Sequence, residues 1–95
     1  MSDITVTDNG QLSRFEGRLP DGTLAGYADY HVAGDVIVFP HTQVDPAFEG
    51  QGVGSAIVRA ALDAVRADGT RTVLPMCSFV ADWMRRHPEY GDLAG

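Results

Sequence analysis

The sequence predicts a single α/β domain: a mixed, mostly antiparallel sheet, one strand–glycine turn–helix–strand crossover and a short C-terminal helix. Three observations predict it. Extended, alternating or β-branched segments, separated by turns rich in Gly, Pro, Asp and Asn, fill the chain up to Asp45. The stretch Phe48-Glu49-Gly50-Gln51-Gly52-Val53-Gly54-Ser55 then runs straight into Ala56-Ile57-Val58-Arg59-Ala60-Ala61-Leu62, a good helix former. A further β-branched run, Thr70-Arg71-Thr72-Val73-Leu74, follows that helix, and a strand reached through a helix pairs in parallel. The chain's 95 residues suffice for one hydrophobic core and not two, so residues 1–95 read as one domain.

Taken in order, Ile4-Thr5-Val6-Thr7 reads as a first strand and Asp8-Asn9-Gly10 as a turn. Leu12 to Leu19 is a second strand, with Phe15 and Leu19 on one face and charge between them. Pro20-Asp21-Gly22 opens a hairpin. Thr23 to Val32 is the third strand, with Leu24, Ala28 and Tyr30 on one parity and Tyr27 and Asp29 on the other. After the turn Ala33-Gly34-Asp35 comes Val36-Ile37-Val38-Phe39, apolar throughout, as a central strand buried on both faces. Pro40 predicts a bend or bulge there, and the chain continues extended through His41 to Asp45. Ile57, Val58, Ala61, Leu62 and Val65 recur at helical spacing, with Arg59, Asp63 and Arg66 opposite. Gly69 ends that helix, and Pro75 ends the strand after it. Ser78 suits the N-cap of a last helix whose inner face is Phe79, Val80, Trp83, Met84 and His87. Pro88 stops it, and Glu89 to Gly95 reads as a tail.

Charge and composition limit the function. Seven arginines face thirteen acids for a net charge of −6, and lysine is absent. The absence removes a Schiff-base lysine and a phosphate-loop lysine. No basic stripe is available for nucleic acid. An acidic surface attracts a cationic partner weakly and in a salt-dependent way. No apolar run is long enough for a membrane span, and Met1-Ser2-Asp3-Ile4 lacks the basic and apolar regions of a signal peptide. Cys77 stands alone, so no internal disulfide forms. Together these favour the cytoplasm. His31, His41 and His87 have no Cys, Asp or Glu at ligand spacing, so no metal site is expected. Arg85 and Arg86 read as a solvated face.

The glycine turn carries the chemistry. A turn that runs into a helix N-terminus leaves backbone N–H groups unpaired at the positive end of the helix dipole, which suits an anion such as phosphate. Three readings compete. A dinucleotide fold needs G-x-G-x-x-G after its first strand and an acid at the end of its second; here the spacing is G-x-G-x-G and Val73-Leu74-Pro75 brings no acid. A phosphate-loop NTPase needs the missing lysine. The third reading is the acyl-CoA pyrophosphate loop, [QR]-x-x-G-x-[GA] opening a helix, which Glu49 to Gly54 fits at five of its positions.

With three blocks read together, His41-Thr42, Glu49 to Ser55, and Pro75 to Val80 with His87-Pro88-Glu89-Tyr90, the chain from about His41 to Asp92 resembles the short, single-domain GNAT-like N-acetyltransferases. The resemblance implies acetyl-CoA as co-substrate and acyl transfer to an amine of a protein or small molecule. It implies CoA contacts at Val44, Glu49, Gly50, Gln51, Gly52, Val53, Gly54 and Ser55. Glu49 departs from the Gln or Arg of the pattern. A carboxylate repels pyrophosphate, so Glu49 is expected to point away, leaving Gln51 and the backbone N–H groups of Gly50 to Ser55 to hold the phosphates.

Cys77, beside the start of the last helix, is either a small buried hydrophobe or a thiol activated by the helix terminus; the resemblance places it and His41 near the CoA thiol. His41 is a candidate base on a strand that, in this family, splays from its neighbour to admit the acyl group. Tyr90 is a candidate donor to the leaving thiolate, or a packed aromatic. Direct attack of the amine, with N–H groups near Gln43 to Asp45 facing the oxyanion, is the simpler mechanism; relay through Cys77 is the variant. The alternative function is a non-catalytic CoA-binding module or protein-interaction adaptor. The protein is expected as a monomer or, through a strand edge, a weak homodimer.

Overall fold

A computed structural model describes residues 4–94. The Met1-Ser2-Asp3 start, read above as unlike a signal peptide, and Gly95 lie outside them. Five strands form one sheet in chain order: β1 (Thr5–Asn9), β2 (Arg14–Arg18), β3 (Leu24–Ala33), β4 (Val36–Val44) and β5 (Thr72–Pro75). The first four pair antiparallel, and β4 and β5 pair parallel. The crossover helix α1 spans Val53–Asp68, and α2 spans Ser78–Arg86. This is the mixed sheet, crossover and short last helix that the sequence predicts.

Several boundaries differ from the expectation. The first strand extends to Asn9, because Asp8 and Asn9 pair with Phe15 and Arg14; the turn falls after them, with Ser13 at φ 51°. Cross-strand pairing outweighs the turn preference of Asp and Asn. The second and third strands begin at Arg14 and Leu24 rather than Leu12 and Thr23. The cap of α2 is Cys77 and Ser78 is its first helical residue. The expected tail is instead a 3₁₀ segment, Pro88–Leu93, with Tyr90 and Leu93 buried. Ala94 bridges to Val73.

The bulge expected at Pro40 is present. Asp29 faces His41 but His31 faces Val38, so Phe39 and Pro40 together oppose Tyr30. Proline has no N–H to give the ladder, and a bulge is where a strand tolerates it. The extra residue resets the alternation of side chains. Phe39 is buried in the core; Thr42, not His41, next shares its face. His41 and Gln43 lie on the other face, opposite Asp29 and Tyr27.

Both helices cover one face of the sheet. Val53, Ile57, Val58, Ala61, Leu62 and Val65 of α1 pack on Phe15, Ala28, Phe39 and Val73, and Val80, Trp83 and Met84 of α2 complete the cluster. Each large side chain so buried contributes about 1.5–3 kcal/mol. Gly17 sets how closely α1 approaches, since a Cβ on it would stand 2.7 Å from Ile57 Cγ1, and Gly26 sets how closely β3 and β4 pair. A Cβ there would stand 2.7 Å from the carbonyl oxygen of Gln43 and 3.2 Å from Ile57 Cδ1. On the other face Arg14, Glu16, Tyr27, Asp29, His41 and Gln43 line up across β2, β3 and β4, and among the described residues no helix covers them.

Candidate functional site

The parallel ladder ends where two prolines meet. Its last register pair is Phe39 with Pro75, and Pro40 follows Phe39. Neither proline donates, and the last tie is the Cys77 N–H to the Phe39 carbonyl at 2.9 Å. Beyond it, β4 runs on to Val44 paired only with β3. Its other edge opens onto a groove of about 410 Å³ whose walls are Thr42 and Val44, Phe48 and the glycine turn, and Ser55 and Phe79.

The direction of the β4 amides follows from two contacts. The Asp45 N–H donates to the Ala25 carbonyl at 2.9 Å, across to β3. Amides alternate along a strand, so Gln43 also faces β3, while Thr42 and Val44 face the groove. The Thr42 N–H is in fact turned to the Cys77 sulfur. Of the amides expected to serve an oxyanion, only that of Val44 faces the groove. Those of Gln43 and Asp45 are committed to the sheet.

The glycine turn is built as its composition requires. Gly50 and Gly52 have φ of 82° and 79°, a region that L side chains rarely adopt. Gly52 is the cap of α1 and has no side chain to fold onto the N–H groups of Val53, Gly54 and Ser55, and the first turn carries no acid. Those N–H groups have no preceding helical carbonyl. Gly54 lets the Phe79 ring pack close, since a Cβ there would stand 2.7 Å from the ring unless Phe79 turned away. Phe79, read from sequence as core, is 38% exposed and walls the groove. Glu49 borders the groove instead of standing clear of it, and Gln51 is not part of the wall.

Cys77 lies half-buried beside Thr42, outside the groove's lining. Burial pushes its thiol up, but the N–H groups of Val80 and Phe79 and the hydroxyl and N–H of Thr42 pull it further down, below the ordinary thiol range. The Thr42 hydroxyl is buried without a well-aligned hydrogen-bond partner among the described residues. His41 is exposed on the far face, its Nε2 3.3 Å from Gln43 Oε1 and its ring 6.3 Å from that of Tyr27. Tyr90, the candidate proton donor, is not among the residues that line the groove. Its hydroxyl donates to Asp63 Oδ1 at 2.7 Å. Asp63 is ten residues along α1 from Val53, about 15 Å at 1.5 Å per residue. The Asp63 bond, burial and the Asp63 charge hold the phenol above its ordinary range. Among the described residues no cluster of three or more His, Cys, Asp or Glu is placed to hold a metal ion, and no helix is long and apolar enough to cross a membrane.

Residues 14–93 match the model of the family described as GCN5-related N-acetyl-transferase. The chain belongs to this family. A comparison with curated protein sequences finds no match. Among solved structures, a GCN5-like protein from Staphylococcus aureus, determined by solution NMR, superposes with a TM-score of 0.74 at 22% identity. The match covers 100% of this chain and 91% of that one. The ribosomal-protein-S18-alanine N-acetyltransferase of Escherichia coli matches at TM-score 0.66 and 20% identity, over 78% of this chain and 50% of its own. Rv2747 of Mycobacterium tuberculosis, crystallised with CoA, matches at TM-score 0.64 and 30% identity, over 80% of this chain and 47% of its own. The chain thus spans about half the length of these last two proteins.

Proposed function

We propose that this GCN5-related domain is an acetyl-CoA-dependent N-acetyltransferase whose two substrates approach from opposite faces of the sheet. One observation carries the reading: the unpaired edge of β4, with Thr42 and Val44, lies across one groove from an uncapped helix N-terminus. The residues present fit CoA. The Gly50–Ser55 backbone offers donors and a positive dipole end to a pyrophosphate. Val44 offers the edge amide that a pantetheine arm needs.

Acetyl-CoA supplies an activated acyl carbon and a thiolate leaving group. Transfer forms a C–N bond and breaks the C–S bond; the amine loses a proton and the thiolate gains one. The Val44 N–H faces the space in which negative charge develops on the acyl oxygen, and a fixed donor there is worth more in the transition state than in the ground state. His41, on the open face, accepts the proton of the incoming amine directly or through one water. The acceptor's amine is thus taken from the open side, where a protein surface or a small molecule has equal access.

A second reading has its own support. With Tyr90 held by Asp63, no phenol stands ready for the leaving thiolate, which suits a CoA-binding module without turnover. Acetylation of any member of a panel of amines separates the two readings.

The test of the common premise is calorimetric titration with acetyl-CoA and CoA on the wild type, Gly52→Asn and Gly52→Asp. Asn tolerates the left-handed backbone better than most residues and is neutral; Asp adds a charge at the same point. Binding retained by the Asn variant and lost by the Asp variant is the expected result. No binding by the wild type overturns the reading.

A further inference from the structure

A groove of about 410 Å³ accommodates a pantetheine arm and pyrophosphate, but not the whole of CoA. The nucleotide, with its 3′-phosphate dianion, must therefore leave the groove over the surface. Two exits are open. One passes the 3₁₀ turn Pro46–Phe48, flanked by the exposed acids Asp45 and Glu49, with no cation from Pro46 to Gly54. The other passes Ser55 along α1, and its first cation is Arg59, one helical turn on.

Arg59 is held in an unusual way for so acidic a chain. Its i,i+4 neighbour Asp63 is the natural partner, yet that carboxylate accepts from the Tyr90 hydroxyl at 2.7 Å. Among the described residues Arg59 forms no ion pair, whereas five of the other arginines do. The guanidinium instead lies 5.2 Å from the centroid of the Trp83 ring and 5.8 Å from that of Tyr90. One Nη1 donates a long, 3.4 Å bond to the Tyr90 hydroxyl. Trp83 is itself tied to the groove wall, its Nε1 donating to Ser55 Oγ at 2.8 Å. The aromatic rings fix an exposed cation, linked to the Asp63 carboxylate only through the Tyr90 hydroxyl, near Ser55 of the groove wall, with donors left over for oxygen ligands.

Resting on the acyl-CoA reading above, we propose that Arg59 binds the 3′-phosphate of CoA and so lets the domain discriminate CoA from 3′-dephospho-CoA. The pairing is a charge-assisted contact between a planar donor fork and phosphate oxygens. At the surface such a contact is worth roughly a fivefold affinity difference.

Titration of the wild type with CoA and with 3′-dephospho-CoA at low ionic strength tests it. The expected result is about fivefold tighter binding of CoA, shrinking as salt is raised. Arg59→Gln should bind both ligands as the wild type binds 3′-dephospho-CoA, and Arg59→Lys should keep part of the preference. Arg86→Gln, on the exposed end of α2, should leave the preference intact. Equal wild-type affinities, or a preference that survives in Arg59→Gln, overturns the assignment while the acyl-CoA reading stands. Failure of the wild type to bind either ligand overturns both.

Discussion

The sulfur of Cys77 feels opposing influences: partial burial, which favours the neutral thiol, and four donors from Thr42, Phe79 and Val80, which favour the thiolate and prevail. Alkylation by iodoacetamide should therefore show an inflection below the ordinary thiol value of 9.0. Thr42→Val, which removes the hydroxyl but keeps the amide, should move that inflection upward. An inflection at or above the ordinary value would mean that burial prevails. Cys77→Ser then separates the two mechanisms. Direct attack predicts that turnover survives; loss of all turnover with CoA affinity unchanged points to relay through the sulfur. The cysteine itself was legible in the sequence as a candidate, because a helix start follows it. The bond from Tyr90 to Asp63 was not, because a tyrosine after a proline says nothing about which carboxylate its hydroxyl will reach. Nor was the isolation of Arg59 legible: the i,i+4 spacing to Asp63 argues for an ion pair that Tyr90 intercepts.

Among elements, the strand–turn–helix–strand unit was the most legible part of the chain, since alternate glycines, helical apolar spacing and a closing glycine each have a local physical cause. Strand ends were less so. Asp8 and Asn9 favour turns in isolation, and only their partners Phe15 and Arg14 hold them extended. The face on which His41 lies depends on how the partner strand absorbs one extra residue, which is a property of two strands and not of one. The seating of α1 on the sheet also joins distant residues. Gly26→Ala would place a methyl group 2.7 Å from the Gln43 carbonyl oxygen and against Ile57. Because the first of these is backbone of the neighbouring strand, it cannot swing aside. Overpacking of this kind costs about 1–3 kcal/mol, so the urea midpoint should fall with little change in slope. A midpoint equal to that of the wild type would show that β4 gives way and that the close approach does not matter.

For the whole molecule, the single covered face of the sheet decides the electrostatics. Glu16 sits among side chains of its own uncovered face, bonded to Arg14 at 2.7 Å, Arg18 at 3.1 Å and Asn9 at 3.2 Å. The Arg14 bond lowers its carboxyl, burial opposes this, and the Arg18 and Asn9 bonds reinforce it, leaving the group below its ordinary 4.5. A depressed folded-state value means a contribution that is complete at neutral pH and lost as pH falls below about 4.5 through the folded value. Glu16→Gln should therefore be less stable than the wild type at pH 7, and the two should converge in acid. A constant difference in urea stability between pH 7 and pH 3 would remove Glu16 from the account.

The bulge at Phe39 and Pro40 has a consequence for insertions and deletions in this strand. Since two residues there occupy the place of one, removing Pro40 would restore regular pairing and leave His41, Thr42 and Val44 on the faces they already hold. Chemistry and orientation would survive; the bend would not. With β5 ending at Pro75 and α2 beginning at Ser78, the edge of a straightened β4 beyond Phe39 would still have no strand beside it. The surplus residue thus gives the strand its bend, while the opening beside it comes from where its neighbour stops.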